Sequence, residues 1–412
     1  MDPIVLDKAL KCVSDMSVAE QILTAVAFVA IGLLLWSKAF NLGKRRADAN
    51  LQDRNNELRE NLAASQNRHC LLDERIRVLE AEIKAQDSTG LSEDIKEILE
   101  IKNRLTIENE NIWELGKASP PLTLAHNRSQ SRLKVLTISN LKGGVGKTTI
   151  ASNLAAHFDI KLGKRVLLID LDYQGSLSAA CFRAIKQPIR GSIADFAIQK
   201  SITPENLLAV MQHLSPILPR TCLIPAGYTL AAVEDRSFLK WILHTTDSDV
   251  RYHLADAIWN PAISNSFDVV IIDVGPRLTT ASINALFAST HFLIPTNLDR
   301  MATETLASFL RTASDLKTRR NLPLDLAGIV GTMAWKAESK TESEKVAVGS
   351  IDDALQNWHG EKYVFRNHIQ HYREIVNTAG ETIAYFIKGR EGDKIRKWFD
   401  GLGSEVAERM KL

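Results

Sequence analysis

A glycine-rich segment at residues 141–149 (LKGGVGKTT) constrains the fold of this chain more than any other part of its sequence. It follows a short apolar run that predicts a β-strand and precedes a pattern that predicts an α-helix. Glycines at such a junction let backbone N–H groups curve around phosphate oxygens, and the start of the helix adds a partial positive charge. Lys147 is placed to reach terminal phosphates, and the Thr148 hydroxyl is placed to ligate Mg²⁺. The segment therefore predicts a phosphate-binding loop, although Leu141 stands where the pattern GxxxxGK[ST] has its first glycine.

Two further segments end in aspartates where a metal next to the phosphates would lie. Residues 165–178 (RVLLIDLDYQGSLS) predict a strand that ends in Asp170 and Asp172, which are two apart and so share one face of a regular strand. Residues 267–276 (FDVVIIDVGP) predict a strand that ends at Asp273. The carboxyl ends of strands border the ligand crevice of an open α/β sheet. Three aspartates in this order after a phosphate-binding loop predict a P-loop nucleoside-triphosphatase.

Short apolar runs alternate with amphipathic stretches from residue 134 onward. The runs are KVLTISN, RVLLIDLD, FDVVIIDV, THFLIPT and LAGIVGTMA. Runs rich in Val, Ile and Leu suit parallel strands that are buried on both faces, and helical patterns between them, such as residues 303–316, imply right-handed crossovers. We therefore expect residues 133–412 to form an α/β domain with a doubly wound, mostly parallel sheet.

The first part of the chain contains an apolar run at residues 22–36 (ILTAVAFVAIGLLLW) without any charge. With its flanking residues, at about 18–40, it approaches the roughly 20 residues that cross a bilayer. Basic residues follow this run, so the positive-inside rule places the C-terminal side in the cytoplasm. We expect residues 1–43 to hold a single-pass transmembrane helix in the bacterial inner (cytoplasmic) membrane. A buried or partner-facing apolar helix and a cleaved signal peptide are the alternatives.

Residues 44–115 carry leucines and isoleucines at heptad spacing. Two registers are separated by residues 88–90, the first through Leu51, Leu58, Leu62, Leu72, Ile76, Leu79 and Ile83 and the second through Leu91, Ile98, Leu105 and Ile112. This spacing predicts an α-helical coiled coil, either between two copies of the chain or between helices folded against each other or onto the following domain. Residues 116–132 lack periodicity, hold two prolines and are predicted to be a linker.

Composition and charge give little support to other kinds of site. The formal net charge is only +2, so overall charge makes no case for nucleic-acid binding. The four cysteines form no CxxC pair, and His368 and His371 have no third ligand nearby, so we expect no zinc site or iron–sulfur cluster. We interpret the local clusters of basic residues as solvated surface, not as a DNA-binding surface; they are Lys317, Arg319, Arg320, Arg366, Arg373, Lys388, Arg390, Lys394, Arg396 and Lys397.

The motifs together resemble those of the ParA/MinD family of ATPases. Residues 142–149 (KGGVGKTT) resemble its deviant Walker A motif, and residues 167–178 (LLIDLDYQGSLS) are similar to the second motif of partition ParA proteins. Residues 271–296 resemble its Walker B segment and the strand after it, with Val274 and Gly275 replacing the usual pair before Pro276. The resemblance covers roughly residues 133–400. It implies an ATPase that requires ATP and Mg²⁺ and that closes as a homodimer around two nucleotides.

The resemblance also implies roles for single residues. Lys142 would cross the dimer interface to the partner's phosphates, Lys147 would contact the phosphates, and Asp172 would orient the attacking water. Thr148, Asp170 and Asp273 would lie around the metal. The residues implied to contact the nucleotide are Lys142, Gly143, Gly144, Val145, Gly146, Lys147, Thr148 and Thr149 in the loop, with Pro295 and Thr296 beside the adenine and Thr332 and Met333 nearby.

These features lead us to expect a membrane-anchored ATPase that acts as an ATP-dependent dimerisation switch and positions or regulates a protein partner or cargo. The dimer would use both the nucleotide sandwich and the coiled coil. One alternative is a plasmid or chromosome partition ATPase that binds DNA non-specifically. Another is a bacterial tyrosine kinase of the capsule-export type, which is disfavoured because the last 25 residues contain no tyrosine.

Overall fold

The computed structural model describes residues 112–114, 118–193, 202–242, 248–297, 300–334, 355, 358, 364–370, 373–378 and 381–412. The chain divides into two compact units, Met1–Ser92 and Glu93–Leu412, and every described residue belongs to the second. The predicted transmembrane helix and nearly all of the predicted coiled coil lie outside the described residues. Within the described ranges, no helix combines the length and the apolar character needed to cross a membrane.

An eight-stranded sheet lies at the centre of the described part of the chain. Its strands are β1 (Lys134–Ile138), β2 (Val166–Leu171), β3 (Gln212–His213), β4 (Thr221–Ile224), β5 (Val269–Val274), β6 (His291–Asn297), β7 (Asp325–Ala334) and β8 (Ile369–Gln370). The spatial order is β3-β4-β2-β5-β1-β6-β7-β8, and every neighbouring pair except β3–β4 is parallel. The prediction of a mostly parallel α/β sheet is confirmed, and the five predicted apolar runs form β1, β2, β5, β6 and β7.

Side chains of the central strands alternate between two separate hydrophobic cores. In β5, Val269 and Ile271 belong to one core, whereas Val270, Ile272 and Val274 belong to the other. Successive side chains of a strand point to opposite faces, so both faces of β5 are covered. This double burial explains why the strand appears in the sequence as an unbroken apolar run.

Helices cover both faces of the sheet. They are α1 (Leu124–Gln130), α2 (Lys147–Ile160), α3 (Ser176–Ile185), α4 (Pro204–Val210), α5 (Thr229–Ile242), α6 (His253–Trp259), α7 (Pro261–Ser264), α8 (Thr280–Ala288), α9 (Arg300–Arg320), α10 (Arg373–Thr378) and α11 (Gly389–Met410). Helices α1, α5, α6, α8 and α9 contribute to the core on one face, called here the front face. Helices α2, α3 and α11 contribute to the core on the opposite, back face. The helical pattern predicted at residues 303–316 lies within α9.

The predicted linker at residues 116–132 differs from the structure, because α1 forms within it. The side chain of Leu124 is buried in the front core, and Arg128 donates a hydrogen bond to the carbonyl of Phe287. Just before this segment, Ile112–Glu114 form one turn of 3-10 helix, and Trp113 is buried against the same core. The sequence did not reveal α1 because seven residues with a single large apolar side chain carry no helical periodicity.

Candidate nucleotide-binding and catalytic site

The glycine-rich loop connects the end of β1 to the start of α2. Gly144 and Gly146 adopt left-handed conformations with φ of 73° and 83°, which side chains with a Cβ rarely adopt. A Cβ added at Gly143 or Gly144 would have no atom within 4 Å, so the surface of the loop is open to a ligand. Buried Val145 anchors the loop, and Gly146 gives the start of α2 no side-chain cap. The amides of the first turn, which includes Thr148 and Thr149, therefore suit an anion.

Asn140 fixes the loop, although the sequence analysis did not single it out. Its Nδ2 donates to the carbonyl oxygen of Pro295 at 2.6 Å, and its Oδ1 accepts from the backbone N–H of Lys142 at 2.8 Å. The side chain is buried, so water does not compete for these bonds. The loop is thereby tied to the end of β6. A polar side chain two residues after the end of a buried strand was the available signal.

Lys147 is almost fully buried at the foot of the loop, with 7% of its surface exposed. Its Nζ donates to the carbonyl oxygen of Lys142 at 3.3 Å. Burial lowers the pKa of Lys147, while the carboxylates of Asp273 and Asp172 act in the opposite direction. The backbone of Lys142 is thus held at both its N–H and its carbonyl, and this residue lies partly exposed at the rim of the site.

Asp273 and Thr148 form a pair at the position expected for a metal. The Thr148 hydroxyl donates to Asp273 Oδ2 at 2.7 Å. The other oxygen, Oδ1, is buried and has no hydrogen-bond partner among the described residues. Burial and the neighbouring Asp170 raise the pKa of Asp273 well above its usual range. A buried, unpartnered carboxylate oxygen beside a threonine hydroxyl fits a hard divalent cation such as Mg²⁺.

Asp170 binds the protein through both of its carboxylate oxygens, and its predicted place around the metal stays a prediction. Its Oδ1 accepts from the backbone N–H of Asp172 at 3.1 Å, and its Oδ2 accepts from the N–H and hydroxyl of Ser178 at 2.9 and 2.7 Å. Burial raises the pKa of Asp170 to about 6. Because both oxygens already bind the protein, the contacts support a role in holding the loop between β2 and α3. Ser178 shares this role, since its hydroxyl also accepts from the N–H of Ala226 at 3.1 Å.

Asp172 lies at the end of β2 and faces the segment that follows β5. Its Oδ1 accepts from the backbone N–H of Gln174 at 3.0 Å, and 9% of its surface is exposed. A Cβ added at Gly275 would lie 3.6 Å from both carboxylate oxygens of Asp172. Glycine therefore leaves the face of this carboxylate uncovered. The position of Asp172 allows it to accept a hydrogen bond from a water molecule, and its role in orienting the nucleophile stays a prediction.

The ends of β6 and β7 lie beside the loop, where adenine contacts were predicted. The carbonyl of Pro295 binds Asn140, and Thr296 is buried with its hydroxyl donating to the carbonyl of Asn297 at 3.2 Å. The methyl group of Thr332 would lie 3.8 Å from a Cβ at Gly146. The geometry brings these residues to the loop, and their contact with adenine stays a prediction.

An open glycine loop at a helix start, a buried lysine and a threonine–aspartate pair, all at the carboxyl edge of a parallel sheet, define a P-loop nucleotide-binding protein. The residues fit both a triphosphate and Mg²⁺, the cofactors predicted from the sequence. Comparison with known proteins defines the family. A family model described as an AAA domain matches residues 133–326.

Two bacterial relatives are similar over the greater part of their own length. The sporulation initiation inhibitor protein Soj of Bacillus subtilis is 33% identical over 207 residues, which cover 48% of this chain and 72% of Soj. The chromosome partitioning protein ParA of Caulobacter vibrioides is 30% identical over 222 residues, which cover 52% of this chain and 74% of ParA. The chain belongs to the ParA/Soj family of P-loop ATPases.

Solved structures share the fold. The McdA–ATP complex from Cyanothece has a TM-score of 0.54 at 20% identity and covers 68% of this chain and 98% of McdA. The cobyrinic acid a,c-diamide synthase of Mycobacterium smegmatis, solved with an ATP analogue and magnesium, has a TM-score of 0.50 at 25% identity. It covers 66% of this chain and 94% of the synthase.

Proposed function

We propose that this protein hydrolyses ATP to ADP and phosphate and uses the cycle as a dimerisation switch. The observation that carries the proposal is the Thr148–Asp273 pair beneath the open glycine loop, in which one buried Asp273 oxygen has no partner in the described part of the chain. Such an oxygen is costly unless a cation binds it. The pair also lies at the start of α2, where backbone amides favour phosphate.

In this proposal the residues of the chain divide the work of phosphoryl transfer. The loop amides and Lys147 bind the phosphates, and Thr148 and Asp273 hold Mg²⁺, which when bound supplies positive charge to the phosphate oxygens. Asp172 accepts a hydrogen bond from water and aligns it with the γ-phosphorus. Lys142 of a second copy of the chain contacts the phosphates across the dimer, so hydrolysis requires two closed heads. Positioning and charge stabilisation, not a strong base, accelerate the reaction.

Substitution of Lys147 tests the nucleotide site. We expect Lys147→Ala to abolish Mg²⁺-dependent ATP binding, measured with a fluorescent ATP analogue, because it removes the buried cation that meets the phosphates. Lys397→Ala removes an exposed lysine of α11 and serves as the matched control with unchanged binding. A wild-type protein without magnesium-dependent affinity for adenine nucleotides, or a Lys147→Ala variant that binds as tightly as wild type, would refute the proposal.

We place this switch at the inner membrane, with the ATPase domain in the cytoplasm. The support is the uncharged apolar run at residues 22–36 and the basic residues that follow it. The heptad pattern at residues 44–115 supports a stalk that holds two heads together. The partner or cargo that reads the closed state is a protein of unidentified kind.

A partition ATPase that binds DNA non-specifically is the second candidate, and similarity to a chromosome partitioning protein favours it. The structure weakens the case for DNA binding by the clustered basic residues, because several of them form ion pairs with acidic residues of the same domain. Lys317 binds Asp325, Arg319 binds Glu114, Lys394 binds Glu391 and Arg396 binds Asp393. Cell fractionation separates the two functions: a soluble, DNA-bound full-length protein would favour partition over an anchored switch. Membership of the ParA/Soj family also disfavours the tyrosine-kinase alternative.

A further inference from the structure

Residues 112–114, which precede α1 and β1, are held by an aromatic contact between Trp113 and α5. The Trp113 ring stacks on Trp241 with 5.8 Å between ring centroids and an interplanar angle of 6°. It also meets the edge of Phe238 at 5.2 Å. Trp113 is only 6% exposed, so the contact is part of the front core. Aromatic pairs of this kind contribute about 0.5–1.5 kcal/mol beyond the burial of their area.

A buried ion pair completes the binding site for this segment. Arg251 and Asp249 are both buried and lie 2.6 Å apart, and the Arg251 guanidinium is 4.7 Å from the centroid of Trp241. Arg251 Nη1 donates to the Trp113 carbonyl at 3.0 Å, and Asp249 Oδ2 accepts from the N–H of Ser119 at 3.2 Å. On the other side, Arg320 donates to the carbonyl of Glu114. We call this site the Trp113 socket; it consists of Phe238, Trp241, Asp249, Arg251 and Arg320.

The same face of α5 also contacts α8, the helix that follows β5. Glu234 Oε1 accepts from the hydroxyl of Thr279 at 2.5 Å and from the backbone N–H of Ala281 at 2.6 Å. It therefore caps the start of α8. Residues 234, 238 and 241 are spaced four and three apart, so Glu234 lies on the helix face that carries Phe238 and Trp241. Two turns, or about 10 Å, separate Glu234 from Trp241 along the axis.

The start of α8 lies a few residues after Asp273, for which we propose a role in binding the metal. Asp273 lies on β5 and Gly275 directly after it, and Gly275 lies against the carboxylate of Asp172. A small cavity of about 60 Å³ lies between α5 and α8 and is bordered by Leu230, Val233 and Glu234 on one side and Thr280 and Ala281 on the other. The cavity leaves a gap in the packing between these two helices.

We propose that α5 is a coupling helix through which the seating of Trp113 in its socket sets the rate of hydrolysis at Asp172 and Asp273. The proposal rests on the ATPase function proposed above. A seated Trp113 fixes the C-terminal half of α5, so Glu234 holds α8 and the Asp273–Gly275 segment in place against Asp172. Withdrawal of residues 112–114 frees α5 to move towards the cavity and displaces that segment. Residues 112–114 are thus the segment that the socket binds, and a change in their position reaches the catalytic site.

The test compares Trp113→Ala and Trp113→Phe in the full-length chain. We expect Trp113→Ala to lower kcat roughly tenfold, within the range of ordinary allosteric coupling, while changing the ATP dissociation constant less than about twofold. Hydrogen exchange at the backbone amides of residues 279–283 should increase. Trp113→Phe keeps an aromatic ring in the socket and should retain most of the activity and protection. Phe399→Ala, a buried residue of α11 on the back face, is the matched control for general destabilisation.

A double-mutant cycle separates coupling from simple loss of stability. In a Glu234→Ala background, Trp113→Ala should have little further effect on kcat, because the connection to α8 is already broken. Additive effects, or unchanged kcat and exchange in a Trp113→Ala variant destabilised as much as Phe399→Ala, would overturn the coupling. If the wild-type protein hydrolyses no ATP, the proposed function fails, and the exchange measurement at residues 279–283 still decides whether the socket and α8 are coupled.

Discussion

At the scale of single residues, Asn140 shows how a side chain without catalytic chemistry fixes the phosphate-binding loop. Its two amide atoms join the carbonyl of Pro295 to the N–H of Lys142, residues that are far apart in the sequence. The position of the loop relative to the sheet is therefore fixed by β6 as well as by β1. The loop motif and the strand-end aspartates were predictable because their chemistry is local. The clamp by Asn140 was not, because it depends on contacts between distant parts of the chain.

Glu234 gives a testable pH dependence at this scale. Burial raises the pKa of Glu234 to about 7 from an ordinary value of 4.5, although its bonds from Thr279 and Ala281 oppose the shift. The folded state thus binds this proton more tightly than the unfolded state. The stabilisation from that proton is fully present below pH 4.5 and is lost as the pH rises through about 7.

Glu234→Gln removes this titration and keeps an oxygen that can cap α8. We expect the variant to gain stability relative to wild type between about pH 5 and about pH 8, by at most roughly 3 kcal/mol. The free energy of unfolding in urea at the two pH values measures the change. Glu408→Gln, at an exposed position of α11, should show no such gain. A stability difference between Glu234→Gln and wild type that is constant with pH contradicts the assignment.

At the scale of elements, the contact between α2 and α11 depends on a glycine. A Cβ at Gly403 would lie 2.2 Å from Cδ2 of His157, which is an impossible approach. His157 Nδ1 pairs with Asp400 at 2.8 Å, and the hydroxyl of Tyr385 donates to the same oxygen at 2.6 Å. The imidazole is therefore held in place and cannot turn away. Helix α11 can approach the nucleotide-binding helix only because position 403 has no side chain.

We expect Gly403→Ala to lower the free energy of unfolding by about 1–3 kcal/mol, because the methyl group pushes α11 away from His157. Urea unfolding measures the loss. The double variant His157→Ala/Gly403→Ala should be more stable than the sum of the two single losses predicts, since the small residue at 157 leaves room for the methyl group. Ser404→Ala, at the exposed neighbouring position, should change stability by less than about 0.5 kcal/mol. Strict additivity would rule out the clash as the cause.

The elements that the sequence predicted share one property. Strands β1, β2, β5, β6 and β7 are buried and rich in branched apolar residues, so their pattern is visible without any tertiary information. The hairpin of β3 and β4 was missed because two and four residues are too few to form a pattern. Helix α1 was missed because its position comes from Leu124 and Arg128 binding the front core, not from its own periodicity.

At the scale of the whole molecule, the ATPase head begins earlier than residue 133. Trp113 and Leu124 are buried in the front core, and Arg251 binds the carbonyl of Trp113. A head cut at residue 133 would expose Phe238 and Trp241 and leave a buried arginine without this acceptor. The isolated head is therefore best taken as residues 112–412. The predicted boundary at residue 133 was placed where the apolar strand pattern begins. The contacts of the short turn at Ile112–Glu114 leave no pattern in the sequence.

The proposed stalk predicts how activity depends on protein concentration. If residues 44–111 join two heads, their closure is intramolecular, with an effective concentration in the millimolar range for short tethers. We expect the ATPase rate per molecule of the full-length protein to vary little with concentration, whereas residues 112–412 should show a steep dependence. A dilution series of both proteins at saturating ATP makes the comparison. The same dependence in both would contradict a stalk that tethers the heads.

The alternation of side chains along β5 separates the two cores, with Trp113 in the front core and Phe399 in the back core. The front core reaches the catalytic atoms through α8 and Asp273, and the back core reaches them through α2 and Lys147. The elements that border the nucleotide site are therefore packed on both faces of the sheet. Each layer thus fixes a different part of the site: the back core supports α2 with Lys147, and the front core supports α8, which follows Asp273.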